Sequence, residues 1–173
     1  MSSEPALDPH TRRIRELEEQ VAALQAEARR YRTLFHAFPG GITIADAEGK
    51  VVETNPAAEQ LLSVEKAEHE RREISDPQWR LIRPDGSDMP SDELAGVIAL
   101  REGRPVFNQE MGVMTDEGVT WINVSAAPLP PEDGGVVITY NDVTERRHTE
   151  EALRLHESIV ASSSEPMAVI DRQ

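Results

Sequence analysis

Five histidines and no cysteine bound the chemistry open to this 173-residue chain. Without a thiol there is no disulfide, no thiolate metal site and no cysteine nucleophile. His36, His69 and His148 stand apart from any spaced set of carboxylates that could share a metal with them, and each reads as a surface side chain. The acid-rich stretch 65–73 reads as a solvated face. No Ser/His/Asp order, nucleotide-binding glycine loop or paired-acid site is present, so no enzyme is expected. Two features remain. Tyr140 brings one hydroxyl to an otherwise apolar wall of Ile122, Val124, Ala126 and Ile138. Asp142-Val143-Thr144-Glu145-Arg146-Arg147 closes the Tyr140 strand and opens a polar helix. Asp followed three residues later by Glu can form a capping box. A strand wired directly into an exposed helix lets a change in the domain pass along the chain.

The elements that position these groups follow from periodicity. Residues 1–10 read as a disordered lead. Over 11–38, Ile14, Leu17, Val21, Leu24, Ala28, Tyr31, Phe35 and Phe38 alternate spacings of three and four, a heptad seam. In a parallel pair, Arg13 would face Glu18 and Glu27 would face Arg32, while Gln20 with Gln25 is neutral. No such pair repels, so a parallel homodimer is expected, with Ile14, Leu17, Val21, Leu24, Tyr31, Phe35 and Phe38 at its interface. Pro39-Gly40-Gly41 ends the helix.

Beyond it the spacing predicts a hairpin from strands 42–45 and 50–54 and a helix capped by Asn55 with Pro56 at its first position. A charged stretch to 76 is either a short helix or a loop. A helix over 91–102 follows, with Ser91 as its cap. Strands 106–114, 119–129 and 135–143 then form an antiparallel meander. An exit helix over 144–162 carries Ala152, Leu155 and Ile159 at seam spacing. The tail 163–173 repeats the beginning (helix, Pro, then Met167-Ala168-Val169-Ile170-Asp171), which suggests the first strand of a second module.

Strand alternation places Ile122, Val124 and Ala126 on one face of their strand, with Ile138 and Tyr140 on the matching side of the last. Aromatics are only 4% of the chain, so a core or pocket should be aliphatic. The net charge of −14 disfavours nucleic acid and anionic membranes. Arg29, Arg30 and Arg32 read as a solvated helix face. No apolar run long enough to span a membrane occurs, and the N-terminus is not a signal peptide, which fits a cytoplasmic protein.

From Arg30 to Arg147 the chain resembles the PAS domains of bacterial sensory proteins. The resemblance is carried by Ile44-Ala45-Asp46-Ala47-Glu48-Gly49 with Asn55-Pro56-Ala57-Ala58, by Arg83-Pro84-Asp85-Gly86, by Trp121 with Ser125-Ala126-Ala127-Pro128-Leu129, and by Asp142 to Arg147. It implies an α+β fold: a five-stranded antiparallel sheet over 39–143, with helices on one face, flanked by the N-terminal coiled-coil helix and a C-terminal signalling helix. It also implies a sensory module of a larger receptor of histidine kinase or cyclic-dinucleotide type, joined to downstream domains of the same polypeptide. The alternative is a ligand-free dimerisation or interaction spacer in a tandem array.

The family alignment turns the Ile122 face toward the helices, so Val97, Met114, Ile122, Val124, Ala126, Ile138 and Tyr140 are the expected ligand-binding set. Asp142, Thr144 and Glu145 are the expected relay. Trp121 faces the other side, and is expected to pack with Phe35 and Phe38. A light-oxygen-voltage flavin is disfavoured. Its cysteine is missing, and the polar positions that hold the ring fall on Gly112, Ile122 and Tyr140, of which only Tyr140 can hydrogen-bond. Haem is disfavoured because the 91–102 helix holds no histidine. His148, followed by Thr149 and Glu150, does not resemble a phospho-accepting histidine. An apolar small molecule such as a fatty acid remains the expected guest if the core is not simply filled.

Overall fold

A computed structural model describes residues 8–115 and 118–162; nothing is described for the side chains of Lys66 and 157–162. The expected strand of a second module in 163–173 lies outside the described residues. The chain divides into two units, with the second beginning at Pro39.

The first unit is the helix α1 (Pro9–Ala37), with Pro9 in its first turn and no side-chain cap from Asp8. Its seam is largely bare: Ile14, Leu17, Val21, Leu24 and Tyr31 are all exposed. Phe35 is buried and stacks on Tyr31 with ring centroids 5.5 Å apart. Phe38 is 39% exposed. Arg13 pairs with Glu16 within the helix, 3.2 Å apart, between two exposed side chains.

The second unit is a sheet with helices on one face. β1 (Gly41–Ala45) and β2 (Val51–Thr54) form the opening hairpin. Asp46 closes its turn by accepting from the N–H groups of Glu48 and Lys50. α2 (Pro56–Leu62) starts at Asn55, and α3 (Lys66–His69) is a single turn. β4 (Val106–Thr115), β5 (Gly118–Pro128) and β6 (Val136–Asp142) form the meander, and α5 (Thr144–Ser162) follows directly. With a short β3 (Leu81–Ile82) at one edge, the strand order is β2-β1-β6-β5-β4-β3, antiparallel throughout. β1 therefore leaves its sequence neighbours and pairs with β6, Gly41 opposite Tyr140.

Two local expectations change. The sheet has six strands, because the two-residue β3 (Leu81–Ile82) pairs with Val113 and Gly112 of β4. A strand this short leaves no alternation to read. The helix expected over 91–102 is broken. A 3₁₀ turn covers Ser91–Glu93, Leu94 is extended, and α4 begins at Ala95 and runs to Glu102. Ser91 does not cap it. The Gln109 amide does so from β4, accepting from Ala95 N–H at 2.8 Å and donating to the Glu93 carbonyl at 2.7 Å. A cap brought from another element cannot be seen in local spacing.

Asn55 holds the start of the sheet together. Its Oδ1 accepts from Ile42 N–H (2.8 Å) and Ala58 N–H (3.0 Å), and its Nδ2 donates to the Gly40 carbonyl (2.9 Å). It is fully buried with its polar atoms engaged, as burial of an amide requires. The core lies between the sheet and α2–α4. The inward residues of β4 and β5, Met111, Val113, Ile122, Val124 and Ala126, meet Ala95 and Ala99 of α4. The small side chains let α4 lie close: a Cβ on Gly96 would sit 2.4 Å from Ile138 Cδ1.

Candidate functional site

Between the sheet and α4 the core leaves a cavity of about 80 Å³. Ile122, Val124, Ile138 and Tyr140 line it, four of the seven residues expected to do so. Ala126 is buried in the same core but does not reach the cavity, and Val97 packs against the core from α4 without lining it. Met114 points the other way. Met111 stands opposite Ile122 on the inner face, so Met114, three residues on, is outward and 39% exposed in a surface groove with Asp76 and Trp79. β4 carries apolar residues on both faces, and only the hairpin register decides which turn inward.

The wall also contains groups that sequence reasoning missed, Thr43 and His69 above all. His69 reads as a surface residue in a charged stretch, yet it is 1% exposed. Its ring sits between two threonines from the opening hairpin. Nε2 is 3.5 Å from Thr43 Oγ1, and Nδ1 is 3.3 Å from Thr54 Oγ1. Thr43 Oγ1 is also 2.8 Å from the Tyr140 hydroxyl, which interacts in turn with Thr54. Thr43, Tyr140, Thr54 and His69 thus close a four-membered polar ring at one edge of an apolar cavity. The faint signal was the small inner face of β1, Gly41-Thr43-Ala45, with one hydroxyl at Thr43 and with Gly41 opposite Tyr140. A Cβ on Gly41 would lie 2.0 Å from the Tyr140 ring, so the ring rests flat on backbone and its hydroxyl is directed toward Thr43.

Burial holds the ring of side chains neutral. It lowers the His69 pKa from 6.5 to about 4, helped by the nearby positive charge of Arg72. It also pushes the Tyr140 hydroxyl well above its usual value, against the opposing hydrogen bonds from Thr43 and Thr54. Arg72 itself points elsewhere. It pairs with Glu68 and lies 4.7 Å from the centre of the Trp79 ring, whose face it covers. Trp79 meets His69 edge-on at 5.2 Å and donates its indole N–H to the Glu73 carbonyl.

The second part of the site is the joint where β6 becomes α5. Asp142 Oδ1 accepts from Thr144 N–H at 2.7 Å, an Asx turn two residues on, in place of the bond to Glu145 N–H that the expected capping box needs. The backbone of Asp142 is paired with Ile122 in the ladder, and Glu145 lies on the surface. Thr144 reaches across to β5, where its hydroxyl accepts from Trp121 N–H at 2.9 Å. Val143 N–H donates to the Trp121 carbonyl at 2.8 Å. On the outer face Arg147 covers the Trp121 ring at 4.0 Å, and Glu110 of β4 pairs with both Arg146 and Arg147. A cation over an indole, held by a carboxylate, fixes the first turn of α5 to the sheet.

A six-stranded antiparallel sheet cupping a small cavity under short helices, with a helix spliced onto its last strand, is a sensory-domain architecture. The PAS fold family matches over residues 29–143, and the chain belongs to that family. It is 30% identical over 130 residues to the sensor protein TdiS of Thauera aromatica, covering 73% of this chain and 23% of that protein. It is 28% identical over 143 residues to the sensor protein kinase FleS of Pseudomonas aeruginosa, covering 83% and 29% respectively. This chain thus spans about a quarter of the length of these relatives. Among solved structures it is similar to a domain of a sensory box sensor histidine kinase/response regulator from Geobacter sulfurreducens. That match has 28% identity and a TM-score of 0.52, and covers 69% of this chain and 96% of that one. A PAS domain like those of sensor proteins is therefore established. No helix among the described residues is long and apolar enough to cross a membrane.

Proposed function

We propose that the chain is the input module of a larger cytoplasmic receptor of the histidine kinase or cyclic-dinucleotide type. It takes up a small molecule or a partner's signal and relays it through α5 to downstream domains. It performs no catalysis itself, and pairs in parallel with a second copy through the seam of α1. One observation carries the reading: the cavity wall and the helix joint are adjacent pieces of the same two strands. Tyr140 lines the cavity two residues before Asp142, and Ile122 lines it next to Trp121, whose backbone holds Val143 and Thr144. A displacement of Tyr140 or Ile122 reaches the first turn of α5 without crossing a flexible segment.

The small cavity favours a second reading, a ligand-free dimerisation and interaction spacer in a tandem array. A benzene-sized guest takes about 150 Å³, so a fatty acid would require the wall to open. Asp142→Ala and Thr144→Val in the full-length receptor separate the two. Under the first reading either change removes a hydrogen bond worth about 1 kcal/mol at the joint, and stimulus no longer changes output while the domain still melts cooperatively. Unaltered signalling in both variants refutes the relay.

A further inference from the structure

The four polar groups at the cavity edge have an uneven hydrogen inventory. Thr43, Thr54 and Tyr140 each bring one hydroxyl hydrogen, and a neutral His69 brings one ring hydrogen. Four contacts close the ring: Thr43 with Tyr140, Tyr140 with Thr54, Thr54 with His69, and His69 with Thr43. Each contact uses one hydrogen, so the ring consumes its own donors. What it has left over is lone pairs on the hydroxyl oxygens, and Thr43, Tyr140 and His69 present that edge to the cavity.

The rest of the wall is aliphatic or aromatic, and no carboxylate or ammonium group lines it. Arg72, the cation that acts on His69, is held by Glu68 and the Trp79 face, outside the lining. A charged guest would lose its hydration without gaining a counter-ion there. An acceptor-only guest would set its lone pairs against those of the ring. Resting on the sensory reading above, we propose that this cavity binds a small uncharged molecule with an apolar body and one O–H or N–H donor, which bonds to the Thr43–Tyr140 edge. The volume of about 80 Å³ restricts it to a short alcohol or amide in size.

Isomeric probes isolate the donor. 1-Butanol and diethyl ether have the same atoms, but only the alcohol donates; butyrate adds the charge. Each is titrated into the 173-residue chain while backbone amide cross-peaks of Thr43, Gly96 and Ile122 are followed by NMR. 1-Butanol should shift them saturably, with half-saturation roughly tenfold below that of diethyl ether, and butyrate should give no saturable shift. Thr43→Val leaves Tyr140, Thr54 and His69 with three hydrogens for two contacts, so one donor is spare and the preference for alcohol over ether should shrink or reverse. Tyr140→Phe likewise leaves Thr43, Thr54 and His69 with three hydrogens for two contacts and should do the same, and it decides the matter if Thr43→Val does not fold. Equal half-saturation for alcohol and ether, tighter binding of butyrate, or no saturable shift by any probe overturns the proposal. The α5 amides over 144–156 report separately. If they stay still while the cavity follows butanol, donor selectivity stands and the relay falls. If they respond to ether or butyrate alone, the relay stands and donor selectivity falls.

Discussion

Acidification should destabilise this domain through His69 well before its carboxylates are neutralised. The imidazole is 1% exposed and binds its proton at about pH 4 when folded, against 6.5 when free. Between those values the unfolded chain holds a proton that the folded chain refuses, so stability falls as pH drops through the window. Across the full window the loss approaches about 3 kcal/mol, and from pH 7 to pH 5 it is about 2 kcal/mol. The charged group beside the ring is Arg72, whose positive charge strengthens the refusal. Urea unfolding at pH 7 and pH 5 measures this directly. With a slope of about 2 kcal/mol per molar, the midpoint should fall by roughly 1 M. His69→Gln supplies the control. It should be less stable than wild type at pH 7, because the amide fits the two threonine contacts poorly, yet its midpoint should move much less between pH 7 and pH 5. Asp85, held below the usual carboxylate range by Ser87, titrates lower still and acts equally in both proteins. Parallel pH slopes for wild type and His69→Gln would refute the burial argument.

Two further outcomes follow from the packing. Gly41→Ala places a methyl group 2.0 Å from the Tyr140 ring, so the ring must swing into the cavity. A loss of about 2–4 kcal/mol in denaturant stability, with an upfield or downfield move of the Tyr140 hydroxyl environment in NMR, is expected. Val21→Glu puts a charge in the exposed α1 seam; sedimentation equilibrium should show the dimer dissociation constant rise at least about tenfold, with urea unfolding of the sheet unit unchanged.

The hairpin, the meander and the Asp142 joint were legible because each rests on local chemistry. Asp46 and Asn55 act on backbone within a few residues, and alternation along β5 gave Ile122 and Val124 their inward face. What was illegible depends on partners distant in sequence. His69 looked like a solvated residue because its two threonines lie 26 and 15 residues earlier. The start of α4 was misplaced because its cap is Gln109. Met114 was expected inward, but Met111 takes that place, because β4 is apolar on both faces and the register of the β4–β5 hairpin decides between them. Val97 and Ala126 were assigned the right layer of the core, but a cavity this small touches only part of that layer.

The pairing of β1 with β6 has a mechanical consequence. Gly41, where the chain comes into the sheet, is opposite Tyr140, just before it leaves at Asp142. The two ends of the domain therefore emerge side by side from one end of adjacent antiparallel strands. Tension along the polypeptide would load that ladder one hydrogen bond at a time, as a zipper opens, and the first rung to separate carries Tyr140. The polar edge of the cavity sits at the end of the β1–β6 ladder where the load enters. Force along the chain and a guest in the cavity would thus act on the same rung.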